Sequence, residues 1–143
     1  MINKLKAVFD KEFSFPIQCL KFFKTSGNND YSLLKTYIEK KGVYRFFMYQ
    51  NEENVTLYIG QSHTATHGLK KRVKQNLTAL DTGGTFRDNL AIIKFDGDIN
   101  KSIEFIKQNA YVQFIVVEDD YEESQIKMLE QIAISLFEPL YNK

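Results

Sequence analysis

Residues 42–74 read GVYRFFMYQNEENVTLYIGQSHTATHGLKKRVK, and this stretch decides the fold. From Gly42 to Tyr49 and from Val55 to Ser62, β-branched and aromatic residues dominate, while Gln50-Asn51-Glu52-Glu53-Asn54 between them is polar and turn-forming. An antiparallel hairpin follows. Strict alternation puts Val55, Leu57 and Ile59 on one face of the second strand and Thr56, Tyr58 and Gly60 on the other, and on the first strand Tyr44 shares its side with Phe46 and Met48. Both faces are covered, as expected of a sheet carrying helices. Residues 68–80 then form a helix whose stripe is Leu69, Val73, Leu77 and Leu80. Lys70, Lys71 and Lys74 fall on its exposed arc, and Arg72 and Asn76 sit one turn apart on the border of the stripe, where a site can be built.

Toward the N-terminus, Ile2, Leu5, Val8, Phe9 and Phe13 recur at helical intervals, so a first helix ends before Pro16. After a loop around residues 25–29, Asp30 caps a second helix that runs to about Lys40 with Tyr31, Leu34, Tyr37 and Ile38 on one side. The aromatic residues Phe13, Phe15, Phe22 and Phe23 read as packing against the rest of the chain rather than as a base-stacking platform. Residues 1–41 are thus a helical extension, and 42–143 form the domain proper.

Toward the C-terminus, Asp81-Thr82-Gly83-Gly84 breaks the helix, and residues 85–95 return as a short helix or irregular segment contributing Phe86, Leu90 and Ile93. Asp98 caps a helix through Asn109 with Ile99, Ile103 and Ile106 inward, and residues 111–117 are a third strand. A last helix runs from about Tyr121 to Phe137 and stops ahead of Pro139. Its apolar arc contains Ile126, Leu129, Ala133, Leu136 and Phe137, and Glu130 falls inside that arc. An ionised acid is expensive to bury without a cation, a hydrogen-bond network or a wet cleft. Glu130 is therefore a metal ligand, the partner of a buried base, or a snorkelling glutamate paired with Arg72 or Lys94 for structure alone.

Composition bounds the rest. With 143 residues, 43% hydrophobic and 26% charged, the chain suits one globular domain. The single cysteine, Cys19, excludes an internal disulfide, and no apolar run reaches the roughly 18 residues of a membrane span. The start, MINKLKAVFDKEF, lacks the apolar centre of a secretory signal and stays in the fold, so a cytoplasmic protein is expected. A net charge of +1 means that nucleic-acid affinity requires a local patch. The candidate patch is Lys70, Lys71, Arg72 and Lys74, with Arg87 and Lys94 as further candidates, although a charge cluster on a helix reads equally well as a solvated face.

Four landmarks now stand in order: Gly42-Val43-Tyr44 on the first strand, Tyr58-Ile59-Gly60 on the second, Arg72 in Leu69-Lys70-Lys71-Arg72-Val73, and Leu129-Glu130 followed by Ile134, Leu136, Pro139, Tyr141 and Asn142. Over about residues 42–142 the chain resembles the GIY-YIG nuclease superfamily. The resemblance implies an α+β fold with a small three-stranded antiparallel sheet flanked by helices, and a metal-dependent endonuclease that hydrolyses DNA phosphodiester bonds. It assigns Tyr44, Tyr58, Arg72 and Glu130 as catalytic. Glu130 would hold one divalent ion, Mg2+ or Mn2+, Arg72 would grip the scissile phosphate, and one of the two tyrosines would orient or deprotonate water. Lys70, Lys71, Lys74 and Asn76 would contact DNA or support the site, and Asn142 would hydrogen-bond near Glu130.

Two departures from the family pattern are Asn76, where many relatives have histidine or tyrosine, and Gln61, where some have lysine. Neither takes up a proton, so a catalytically silent module that binds DNA or protein is the alternative. His63 and His67 lie in a loop longer than in compact relatives, and no cysteine or further histidine completes a zinc set. The loop reads as solvent-exposed with incidental histidines, a phosphate contact being the next option. No separate recognition module appears, so specificity needs the N-terminal extension, the 81–95 segment, a homodimer or a protein partner.

Overall fold

The structure is a computed structural model that describes residues 1–143. Its elements run α1 (Ile2–Glu12), β1 (Ile17–Gln18), 3-10 turns at Cys19–Phe22 and Ser32–Tyr37, β2 (Gly42–Gln50), β3 (Glu53–Ser62), α2 (Leu69–Gln75), α3 (Thr85–Lys94), α4 (Ile99–Asn109), β4 (Tyr111–Val116) and α5 (Glu123–Phe137). The fold is α+β, with an antiparallel sheet in the order β1-β4-β2-β3. Three strands are those the sequence predicts. The fourth, β1, is a two-residue strand that pairs Ile17 with Val112 and Gln18 with Tyr111.

The hairpin closes through Asn51 and Glu52, both at positive φ (52° and 67°), a pair of left-handed residues whose twist matches that of the flanking strands. Its register runs Tyr44 opposite Gly60 and Phe46 opposite Tyr58, then slips so that Phe47 faces Thr56. Leu57 is left without a partner, which makes a β-bulge. The expected alternation therefore fails on the far side of the bulge. Leu57 packs in one cluster with Tyr44, Phe46 and Tyr58, whereas Ile59 belongs to a second cluster with Val43. Thr56 lies on the second side, where its hydroxyl accepts from Arg45 Nε at 2.8 Å.

Those two clusters are the two faces of the sheet. The larger contains Tyr44, Phe46, Leu69, Val73, Phe86, Leu90, Ile106 and Phe114 under α2, α3 and α4. The smaller joins Val43, Ile59 and Ile115 to Ala133 and Phe137 of α5 and to Phe9 and Phe13 of the N-terminal segment. Arg45 is only 3% exposed there. Its guanidinium lies over the rings of Phe47 (4.7 Å) and Phe137 (4.5 Å) and donates to Gln113 Oε1 at 2.7 Å. Burial lowers its pKa to about 10.

Several local expectations are corrected. The segment after Asp30 is a 3-10 turn, not an α-helix: the Asp30 carboxylate accepts from Ser32 N–H (3.0 Å), and the Tyr37 ring stacks on Phe114 at 4.0 Å. Anchoring at both ends over so few residues favours the tighter winding. α2 stops at Gln75, so Leu80 lies beyond it and is 94% exposed. Residues 85–94 do form a helix, but Ile93 faces outward at 55% exposure. Phe13 and Phe22 are buried and Phe23 half-buried, as expected of packing aromatics, while Phe15 is 90% exposed. In α1 only Phe9 is buried, and Ile2, Leu5 and Val8 are exposed. No helix is long and apolar enough to cross a membrane.

Gly42 sits at φ 151°, and a Cβ there would run into the backbone carbonyl of Ile115 on β4. The first motif glycine is thus a condition of strand pairing. Gly42→Ala is expected to lower stability by at least about 2 kcal/mol, because the colliding atoms are backbone and cannot swing aside. Urea denaturation measures this, and an unchanged midpoint would rule out the close approach.

Candidate active site

The site lies where β3 forms an edge of the sheet. Tyr44 comes from β2, Tyr58 from β3, Arg72 from α2 and Glu130 from α5. The Tyr44 ring crosses Gly60 of the neighbouring strand so closely that a Cβ on Gly60 would strike the phenol. The second motif glycine thereby clears the path along which Tyr44 reaches the edge. There its ring lies 6.1 Å from that of Tyr58, and both phenols lie within electrostatic reach of Arg72 and Glu130. Folding thus brings all four residues together, although Tyr44 and Glu130 are 86 positions apart in the chain.

Their electrostatics are unlike those of a structural cluster. Burial raises the Tyr44 phenol well above its ordinary value, with the neighbouring Tyr58 adding to it. Tyr58 is raised by burial and then by the charge of Glu130. Both phenols are therefore protonated at neutral pH. Burial also raises the Glu130 carboxyl, against the opposing influence of Lys127 and a hydrogen bond from Gln131. Neither Arg72 nor Lys94 pairs with Glu130: the ion pairs are His63–Glu123, Arg87–Asp88, Lys107–Glu104 and Lys127–Glu123, and Lys94 lies over the Phe105 ring. The purely structural reading of Glu130 as a paired acid is not what the fold contains.

Arg72 carries the complementary anomaly. Its Nε is buried without a hydrogen-bond partner, and its Nη1 makes only a long 3.5 Å contact with Gln75 Oε1. A buried guanidinium donor left unpaired costs on the order of 1–3 kcal/mol unless an acceptor arrives. A phosphate oxygen is such an acceptor, and its two-oxygen face suits the guanidinium fork.

A divalent cation fits the donor set in one way only. No three His, Cys, Asp or Glu residues come together, so a protein-built cage is absent. Glu130 is a half-buried carboxylate with no cation bonded to it, a hard oxygen donor of the kind that Mg2+ or Mn2+ takes while water and phosphate fill the remaining positions.

The supporting residues divide differently from the sequence expectation. Asn142 does not reach toward Glu130; it brackets Ile59, accepting from the backbone N–H at 3.0 Å and donating to the carbonyl at 2.8 Å. It steadies the site through the strand that carries Tyr58 and Gly60. Asn76 is buried at the end of α2, where it donates to the Arg72 carbonyl (2.9 Å) and accepts from Arg87 N–H (3.1 Å), so it joins α2 to α3. Arg87 is not part of a basic surface. It is buried, and its guanidinium is bound by the carbonyls of Gln75 and Thr78 and by Asp88.

Lys70, Lys71 and Lys74 line a groove with Ile38, Gly68 and Asp81, and Lys74 lies over the Tyr31 ring at 5.2 Å. His63 is not incidental: its Nε2 meets Glu123 at the head of α5 at 2.8 Å and its Nδ1 meets Gln61 Oε1 at 3.0 Å, which ties the long loop to that helix. Sequence reading took Phe86 as a core residue only and missed its place at the site, where its ring stacks on Tyr58 at 5.4 Å. That place has no local signal, since it is set by the docking of α3.

Residues 22–143 match the family described as the GIY-YIG catalytic domain, and the chain belongs to that family. It is a family of nucleases. No curated protein and no solved structure matches the chain closely enough to count as a relative.

The raised Glu130 carboxyl has a consequence for stability. Its folded pKa lies above the unfolded value near 4.5, so folding favours the protonated acid, and stability is lost as pH rises through that range. Glu130→Gln removes the penalty. The variant is expected to melt above wild type at neutral pH, with the difference closing below pH 4.5. Thermal melts across pH measure it, and a destabilised variant at pH 7 would mean that the carboxylate is held by the fold rather than against it.

Proposed function

We propose that the chain is a metal-dependent endonuclease that hydrolyses DNA phosphodiester bonds at the site formed by Tyr44, Tyr58, Arg72 and Glu130. The observation that carries this reading is the pairing of two unmet demands beside the same two phenols. Arg72 has a buried donor without an acceptor, and Glu130 is a desolvated carboxylate without a cation. A phosphate oxygen satisfies the first, and a divalent ion satisfies the second.

Arg72 binds the scissile phosphate and neutralises part of the charge that builds on it during attack. The two phenols orient the attacking water, and one of them handles its proton. Glu130 holds the divalent cation, Mg2+ or Mn2+, which supplies charge neutralisation at the phosphate when bound. Asn76 and Gln61 are engaged elsewhere in the fold, with Arg72 and Arg87 and with His63 respectively, which leaves the proton chemistry to the tyrosines. Lys70, Lys71 and Lys74 contribute phosphate contacts along the DNA backbone, which give affinity rather than sequence choice.

The test is cleavage of supercoiled plasmid with Mg2+ or Mn2+. Wild type is expected to nick it and to stop when the metal is chelated. Arg72→Ala and Glu130→Ala are expected to lose about 100-fold or more while remaining folded, in line with removal of a charge that stabilises the transition state. The rate is expected to rise from acid into mildly alkaline pH, because Glu130 ionises above the usual carboxyl range and the phenols are protonated at neutrality. A wild type that retards the plasmid without cutting it would instead support a catalytically silent binding module.

A further inference from the structure

α1 leaves most of its apolar side chains outside the fold. Phe9 is its buried residue, whereas Leu5 and Val8 fall on one flank of the helix and are exposed. That flank walls a groove of about 300 Å³, in which Val8 and Phe9 face Ile115 and Val116 of β4, Tyr121, and Leu129 of α5. The outer edge of β4 is covered by β1 at residues 111 and 112 and by Ser14 at Phe114, and no further strand covers it at Val116. Beyond the groove, Met128 and Ile132 stand on the same flank of α5 as Leu129 and are exposed as well. Apolar side chains gathered from three elements on one face differ from singly scattered ones and mark an association surface.

The borders of this face carry opposite charges. Lys4 and Lys11, two turns apart on α1, lie beside Val8 on its solvent side. Glu12 and Glu118 line the groove itself, and Asp119 and Asp120 continue the acidic run next to it. None of these six is in an ion pair within the chain, whose four pairs are formed by other residues. One molecule thus carries both an apolar ridge with free lysines beside it and an apolar groove with free carboxylates. Because α1 is a wall of its own groove, its ridge cannot fill that groove.

We propose that this face joins two copies of the chain about a two-fold axis, the Leu5–Val8 ridge of each copy lying in the groove of the other, with Lys4 and Lys11 of one facing Glu12 and Glu118 of the other. A foreign helix would have to bring an apolar ridge bordered by lysines, and α1 already has both. A two-fold contact uses the ridge and the groove of each copy once, so it closes at the dimer and leaves no free end for further growth. Tyr44, Tyr58 and the helix that carries Arg72 pack on the other face of the sheet, so the contact leaves them uncovered. The pairing does not depend on the nuclease reading.

Sedimentation equilibrium of the full chain at micromolar concentrations is expected to show a monomer–dimer equilibrium. Val8→Asp places a carboxylate in the apolar contact and is expected to raise the dimer dissociation constant at least about tenfold, with the circular dichroism spectrum unchanged because Val8 is exposed in the single chain. Two charge reversals test the register. Lys4→Glu with Lys11→Glu, and separately Glu12→Lys with Glu118→Lys, should each weaken self-association about tenfold or more, whereas an equimolar mixture of the two reversed chains should associate nearly as well as wild type, since each then meets its opposite. A wild type that stays monomeric would overturn the proposal and leave the groove to a helix from another protein. A dimer that Val8→Asp does not weaken, or reversed chains that associate no better mixed than alone, would equally overturn it.

Discussion

The constraint on which the structure depends is the edge of β3, which is closed over its middle, from Thr56 to Ile59, and left open toward Gly60. An unpaired strand edge exposes a row of backbone donors and acceptors. Here the C-terminal tail covers it: Leu140 N–H donates to the Thr56 carbonyl at 3.1 Å, Tyr141 N–H to the Leu57 carbonyl at 2.9 Å, and the Asn142 side chain brackets Ile59. Asn89 of α3 holds the tail in turn through the Tyr141 carbonyl at 2.9 Å. The bracket ends at Ile59, one residue short of Gly60, over which Tyr44 reaches the edge. One strand therefore both completes the fold and presents the phenol of Tyr58 beside that of Tyr44.

The two motif glycines follow from close packing rather than from flexibility. Gly42 admits the backbone of β4, and Gly60 admits the ring of Tyr44. Each tripeptide thus joins a glycine needed by the packing to a tyrosine of the candidate site. The bulge at Leu57 has a related consequence, since it lets Leu57 and Tyr58 both face the larger core while Thr56 turns away to meet Arg45. Without it the hairpin would have to choose between a core contact at Leu57 and the phenol next to it.

The cluster of four side chains is itself held against local preference. Desolvated phenols, a raised carboxyl and an unpaired guanidinium nitrogen are each unfavourable in isolation. They are tolerated because the walls are firm: Phe86 against Tyr58, Asn76 between α2 and α3, and Arg87 fastened to the carbonyls that end α2. Energy stored this way is available to a ligand that carries the missing partners.

The hairpin, the helix with Arg72, the capped helix after Asp98 and the inward place of Glu130 were legible in the sequence, because period, turn chemistry and capping act between residues a few positions apart. Asp98 does cap α4 by accepting from Lys101 N–H, and Glu130 does lie toward the core side of α5. What periodicity could not report was partnership at long range. Alternation gave no sign of the bulge, and a basic side chain at position 87 looked like surface charge until the end of α2 closed over it. His63, Asn76 and Asn142 likewise acquired their partners only when distant elements docked. The sequence by itself determined the hairpin, the third long strand and the helices that carry Arg72 and Glu130, since those are settled by local period, turn chemistry and capping. The tertiary structure decided which polar groups are satisfied and which are left wanting, because hydrogen bonds and desolvation depend on neighbours that chain order does not name.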